Sequence, residues 1–150
     1  MPNNALIGIA GVHYVVSELS RRGIIALPTV KNTAAYDIVA LNQEGTRHAN
    51  IQVKASSKKV GFFPMPEPDR VKSGPRDIYI LVRWIEGENN YESFLLTGRQ
   101  AKVAVEEGIA LQTERVRQGK KKRPFPCIYV GSRDESNVER WAKAWSKWSL

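Results

Sequence analysis

The chain has 150 residues, 42% hydrophobic and 25% charged, which suits one globular domain, and its formal net charge of +8 with a pI near 9.8 favours nucleic acid first and an anionic membrane surface second. A single cysteine, Cys127, excludes an internal disulfide and points to a reducing cytoplasm, while the two distant histidines, His13 and His48, offer no zinc site of His/Cys type. No stretch approaches the roughly 20 apolar residues that span a bilayer, and Met1-Pro2-Asn3-Asn4 lacks the basic start of a signal peptide, so a soluble, cytoplasmic protein without a membrane partner is expected.

Ile9, Val12, Val16 and Leu19 recur at helical spacing from about Ala5 to Arg22, with Arg21 and Arg22 at the negative end and Gly23 placed to stop the helix. Glu18 falls at the edge of that stripe, where it can border a cleft without being buried. Ile24 to Val30 reads as a short strand, and Pro28 sends it to a sheet edge or a bulge. Residues 31–35 form a loop into a hairpin whose arms are Tyr36 to Leu41 and Ala49 to Ala55. In the second arm Ile51 and Val53 point one way and Asn50, Gln52 and Lys54 the other. A two-residue turn at Glu44-Gly45 would set Asp37 opposite Gln52, with Lys54 two residues along the same face. Opposed side chains stand roughly 5 Å apart at Cβ, so a carboxylate, a carboxamide and an ammonium share one surface.

That trio has a chemical use. A carboxylate and a second oxygen can hold a hard cation such as Mg²⁺ or Mn²⁺, and a nearby lysine can orient the attacking water and offset phosphate charge. At Asp37 and Gln52-Val53-Lys54 the sequence resembles the PD-(D/E)XK nuclease superfamily, in which an Asp on one strand precedes a (Glu/Gln)-x-Lys on the next. The resemblance implies that Asp37, Gln52 and the Val53 carbonyl bind Mg²⁺ or Mn²⁺. It also implies that Glu18, on the preceding helix, supports the metal and that Lys54 positions the water. Many members carry Glu where this chain has Gln52, which implies weaker metal binding.

Ser56 to Arg76 holds Pro64, Pro66, Pro68 and Pro75, with Phe62 and Phe63 and the basic pair Lys58-Lys59. It reads either as one wall of a substrate groove, with both lysines on phosphates, or as a proline-stiffened wrap over the core. Asp77 to Ile85 is a buried central strand, followed through Glu86 to Asn90 by a strand from Tyr91 to Leu96. Thr97-Gly98-Arg99-Gln100 opens a helix with a capping box, and that helix is expected to end before Gly108. A basic loop with Lys120, Lys121, Lys122 and Arg123 precedes a strand from Cys127 to Val130, and is a second candidate phosphate contact. The last helix starts near Ser136. Its Val138, Trp141, Trp145 and Trp148 share a face that either closes the core or forms a dimer surface.

The order implies a single domain over 1–150 with an α/β (α+β) sandwich fold, and the resemblance implies that its mixed sheet of four to five strands flanked by helices is restriction-endonuclease-like. The resemblance extends to small stand-alone members such as the homodimeric Holliday-junction resolvases. It implies a metal-dependent endonuclease that acts on DNA, including branched or otherwise structured DNA, with a homodimer as its assembly. Two alternatives stand beside it: a degenerate nuclease fold kept as a nucleic-acid-binding or protein-interaction module, and a basic RNA-binding protein.

Overall fold

The computed structural model describes residues 3–30, 35–84, 87–120, 123–131 and 135–150, with the backbone alone for 135 and 136. In chain order the elements are α1 (Asn4–Arg21), β1 (Ile25–Pro28), β2 (Ile38–Leu41), β3 (His48–Ser56), β4 (Phe62–Pro64), a 3₁₀ turn (Pro68–Arg70), β5 (Asp77–Trp84), β6 (Tyr91–Thr97), α2 (Gly98–Arg117), β7 (Cys127–Tyr129) and α3 (Glu135–Lys147). The fold is α+β. Five strands form one sheet in the order β1-β2-β3-β5-β6, and β4 pairs with β7 in a separate ribbon. Only β3 and β5 run parallel, so the main sheet is mixed.

Asn3 caps α1 by accepting from Leu6 N–H at 3.0 Å, and the chain turns out of the helix at Gly23 with φ 75°. The buried row is Gly11, Val15 and Leu19. Ile9, placed on the apolar stripe by spacing, lies about 200° round the helix from Gly11 and stays 47% exposed. Gly11 allows close contact with the sheet, since a Cβ there would meet the Ala55 methyl at 2.5 Å.

Strand β1 is an edge strand, as Pro28 implied. Thr29 N–H donates inward to Asp37 O at 2.9 Å, so strand alternation turns the Pro28 nitrogen to the free edge, where the missing donor discourages further pairing. The β2–β3 register sums as expected, with Ile38 opposite Ile51 and Leu41 opposite His48. The turn itself is longer than two residues. Asn42 N–H bonds Arg47 O at 3.1 Å, Gly45 N–H bonds Asn42 O at 3.0 Å, and the buried Asn42 side chain accepts from Arg47 N–H at 2.8 Å. Because the longer loop keeps its centre at Glu44-Gly45, the register is unchanged.

The sheet has a core on each face. Under α1 lie Ile38, Ala40, Ala49, Ile51, Ile78, Ile80, Val82 and Leu95. On the second face Tyr79, Leu81, Phe94 and Leu96 of β5–β6 meet α2 and the β4–β7 ribbon. This covering layer does not extend to β1, whose Ile25 and Leu27 are exposed.

Three expectations change in detail. The Ser56–Arg76 segment contains a strand and buries Phe63, Met65 and Val71, so it wraps the core. The capping box of α2 is present, but the helix runs through Gly108 to Arg117. Gly108 sits at a crossing: a Cβ there would lie 2.4 Å from Cys127 O, where β7 passes over the helix. The tryptophan row packs inward, with Trp141 in one core and Trp145 in the other, so α3 closes the core along β6.

Candidate active site

At Asp37, just before β2, the backbone bends. In a regular strand a residue's N–H and C=O face the same neighbour, whereas Asp37 N–H donates to Ile51 O of β3 at 2.9 Å and its C=O accepts from Thr29 beside β1 at 2.9 Å. Bends of this kind re-aim side chains. Here Asp37 Oδ2 accepts from Val53 N–H at 2.8 Å, taking the place a further β2 carbonyl would have held. The carboxylate is thereby fixed on β3 with its second oxygen left for another partner. The Val53 carbonyl opens toward the same side as its N–H.

Gln52 Nε2 donates to Ala35 O, in the segment just before Asp37. With the amide nitrogen committed to a carbonyl, the side-chain oxygen is turned away from it. Lys54 is half-buried on the same face of β3 and belongs to none of the ion pairs among the described residues. The Asp37 carboxylate therefore meets β3 between Gln52 and Lys54, just before β2 begins.

Glu18 does not join them. α1 packs on the opposite face of β3, with Gly11 at Ala55. Glu18 lies about 10 Å further along the helix, toward the hairpin turn, where Gln43 Nε2 donates to Gly23 O at 3.2 Å. Its carboxylate bridges Arg21 at 2.7 Å and Arg22 at 3.5 Å. Lys58 and Lys59 are exposed directly after β3. Lys120 and Arg123 are also exposed, and Lys121 and Lys122 lie outside the described residues. Lys58 and Lys59 precede the ribbon end where Val130 N–H bonds Gly61 O, and Arg123 precedes the other end, where Met65 N–H bonds Pro126 O.

Sequence reasoning missed the neighbours that β5 supplies. Asn50 is paired with Asp77 and Gln52 with Tyr79. The Tyr36 phenol interacts with Asp77 and Asn50, and burial first, then the bond to Asp77, raises its pKa from the ordinary 10.0. Burial likewise raises Tyr79. Lys72 Nζ lies 5.4 Å from the centre of the Tyr36 ring, and Arg76 Nη1 donates to His48 Nε2 at 3.1 Å. Asn50 could have been read from its parity with Gln52. Lys72 and Arg76 carried no such signal, because their placement depends on parallel pairing across 20 residues of intervening chain.

Among the described residues no three His, Cys, Asp or Glu side chains form a metal cluster. A cation here would rely on Asp37 and neutral oxygens, a donor set that suits a hard ion keeping several waters and does not suit zinc. The site is an open sheet face. A cavity of about 900 Å³ lies elsewhere, between α2, the ribbon and α3, and includes none of these residues.

No family model matches the chain, and no curated protein matches it. Among solved structures it is similar to a bacterial homing endonuclease, I-Ssp6803I, with a TM-score of 0.46 and 17% identity over 66% of this chain and 68% of that one. So distant a likeness carries no argument about the reaction.

Proposed function

We propose that the protein is a divalent-metal-dependent endodeoxyribonuclease whose active site is the polar face of β3. The observation that carries this reading is the Asp37 carboxylate fixed on Val53 N–H beside the Gln52 and Lys54 side chains. Asp37, the Gln52 side-chain oxygen and the Val53 carbonyl would hold Mg²⁺ or Mn²⁺. The bound ion would supply Lewis-acid stabilisation of the phosphodiester as charge builds on it. Lys54 orients the attacking water and offsets phosphate charge. Its ammonium is available for this because no carboxylate among the described residues neutralises it. The basic surface attracts DNA without reading its sequence, which leaves shape, including branched structure, as the basis of choice.

A second reading is a nuclease-like fold that binds nucleic acid without cutting it, favoured by the single carboxylate among the three site residues. Plasmid nicking in Mg²⁺ or Mn²⁺ against EDTA separates the two. The parent should nick only with metal, and Asp37→Ala and Lys54→Ala should each abolish nicking while melting as the parent does. Equal cutting by either variant at matched purity would remove the assignment, and a parent that binds DNA without cutting would favour the second reading.

A further inference from the structure

The polar face of β3 does not end at Lys54 and Gln52. It continues through Asn50 to His48, six residues or about 20 Å from Lys54 at strand spacing. Two cations stand along this extension. Arg76 reaches His48, and Lys72 is held over the Tyr36 ring next to Asn50 and Asp77. Both side chains are exposed, and neither is ion-paired among the described residues. Asp77, the carboxylate beside Tyr36, already accepts from Gly74 N–H at 2.8 Å.

The main chain at Lys72 is built in. Its N–H donates to the Tyr79 hydroxyl at 3.0 Å, and Gly98 at the start of α2 lets it pass, since a Cβ there would meet Lys72 O at 2.5 Å. Beyond the other end of β3, Lys58 and Lys59 are exposed one residue after the strand. The result is a row of cations with the Asp37–Gln52–Lys54 group in its middle. The stretch from His48 to Lys54, about 20 Å at strand spacing, is long enough to follow several successive phosphates of one DNA strand.

We infer that the strand to be cut lies along β3, with Lys72 and Arg76 holding its phosphates on the His48 side of the scissile bond and Lys58-Lys59 holding those on the other. This rests on the nuclease reading and extends it to a substrate path.

The test is binding of a short DNA duplex in EDTA, followed by fluorescence anisotropy across a salt series. It compares the parent, Lys72→Ala/Arg76→Ala and a control pair on α2, Arg99→Ala/Lys102→Ala. The β3 pair should bind more weakly and lower the slope of log K against log salt by about 0.9 for each phosphate that is no longer neutralised, while the control keeps the parent slope. Single methylphosphonates walked along the duplex give a second readout. Neutral phosphates on one side of the cut should weaken the parent and lose that effect in the Lys72→Ala/Arg76→Ala protein. If the parent binds and both variants share its slope and its methylphosphonate profile, the path is wrong and the nuclease reading stands. If the parent does not bind DNA at all, the reading and the path fail together.

Discussion

The two faces of β3 are built from alternate residues of the same nine, and they have opposite fates. Ala49 and Ile51 are buried, and Val53 and Ala55 pack beneath α1. Asn50, Gln52 and Lys54 face the side where the covering layer of α2 and the ribbon does not reach β1 and β2. Register locks the two together, because a slip by one residue would bury Lys54 and expose Ile51. One parity of the strand packs the core and the other, on the proposed reading, carries the chemistry, so substitutions on the two faces should separate stability from activity.

The largest expected effect is on the covered face. Ile51→Ala leaves a cavity beneath α1 and should cost about 2–5 kcal/mol, read by denaturant unfolding. A cost near zero would mean that this face is not the core. Gln52→Glu comes next. It removes the donor to Ala35 O and sets a carboxylate oxygen against that carbonyl, at a cost of about 1 kcal/mol in EDTA. If Gln52 is a metal ligand, the added charge should return stability as Mg²⁺ is raised, so the variant's melting temperature should rise with metal more than the parent's. Identical responses would place Gln52 outside the coordination shell. Smallest is Lys54→Ala, which should stay within about 0.5 kcal/mol of the parent while losing nicking, since Lys54 belongs to no ion pair among the described residues.

Much of this comparison was legible in the sequence. Alternation from Asn50 to Lys54 showed the two faces, and the symmetry of the turn about Glu44-Gly45 set the register even though the loop is longer than two residues. The bend at Asp37 that hands its carboxylate to Val53 was not legible, because it depends on β2 beginning between two neighbours. Glu18 shows the limit of helical spacing. Position on a stripe says which residues face the sheet, but not how far along β3 the helix is docked, and that docking was fixed by Gly11 on Ala55. Gly108 shows the same limit for punctuation, since a glycine that reads as a stop is a crossing point for β7.

The central claim is that Asp37 on the uncovered face holds a divalent cation, and Mn²⁺ titration followed by electron paramagnetic resonance tests it without reference to cleavage. The parent should take up one Mn²⁺ that Mg²⁺ displaces, and Asp37→Asn, with the same fold and one charge fewer, should take up none. Equal uptake by the two proteins, or none by the parent at millimolar Mn²⁺, would contradict the account.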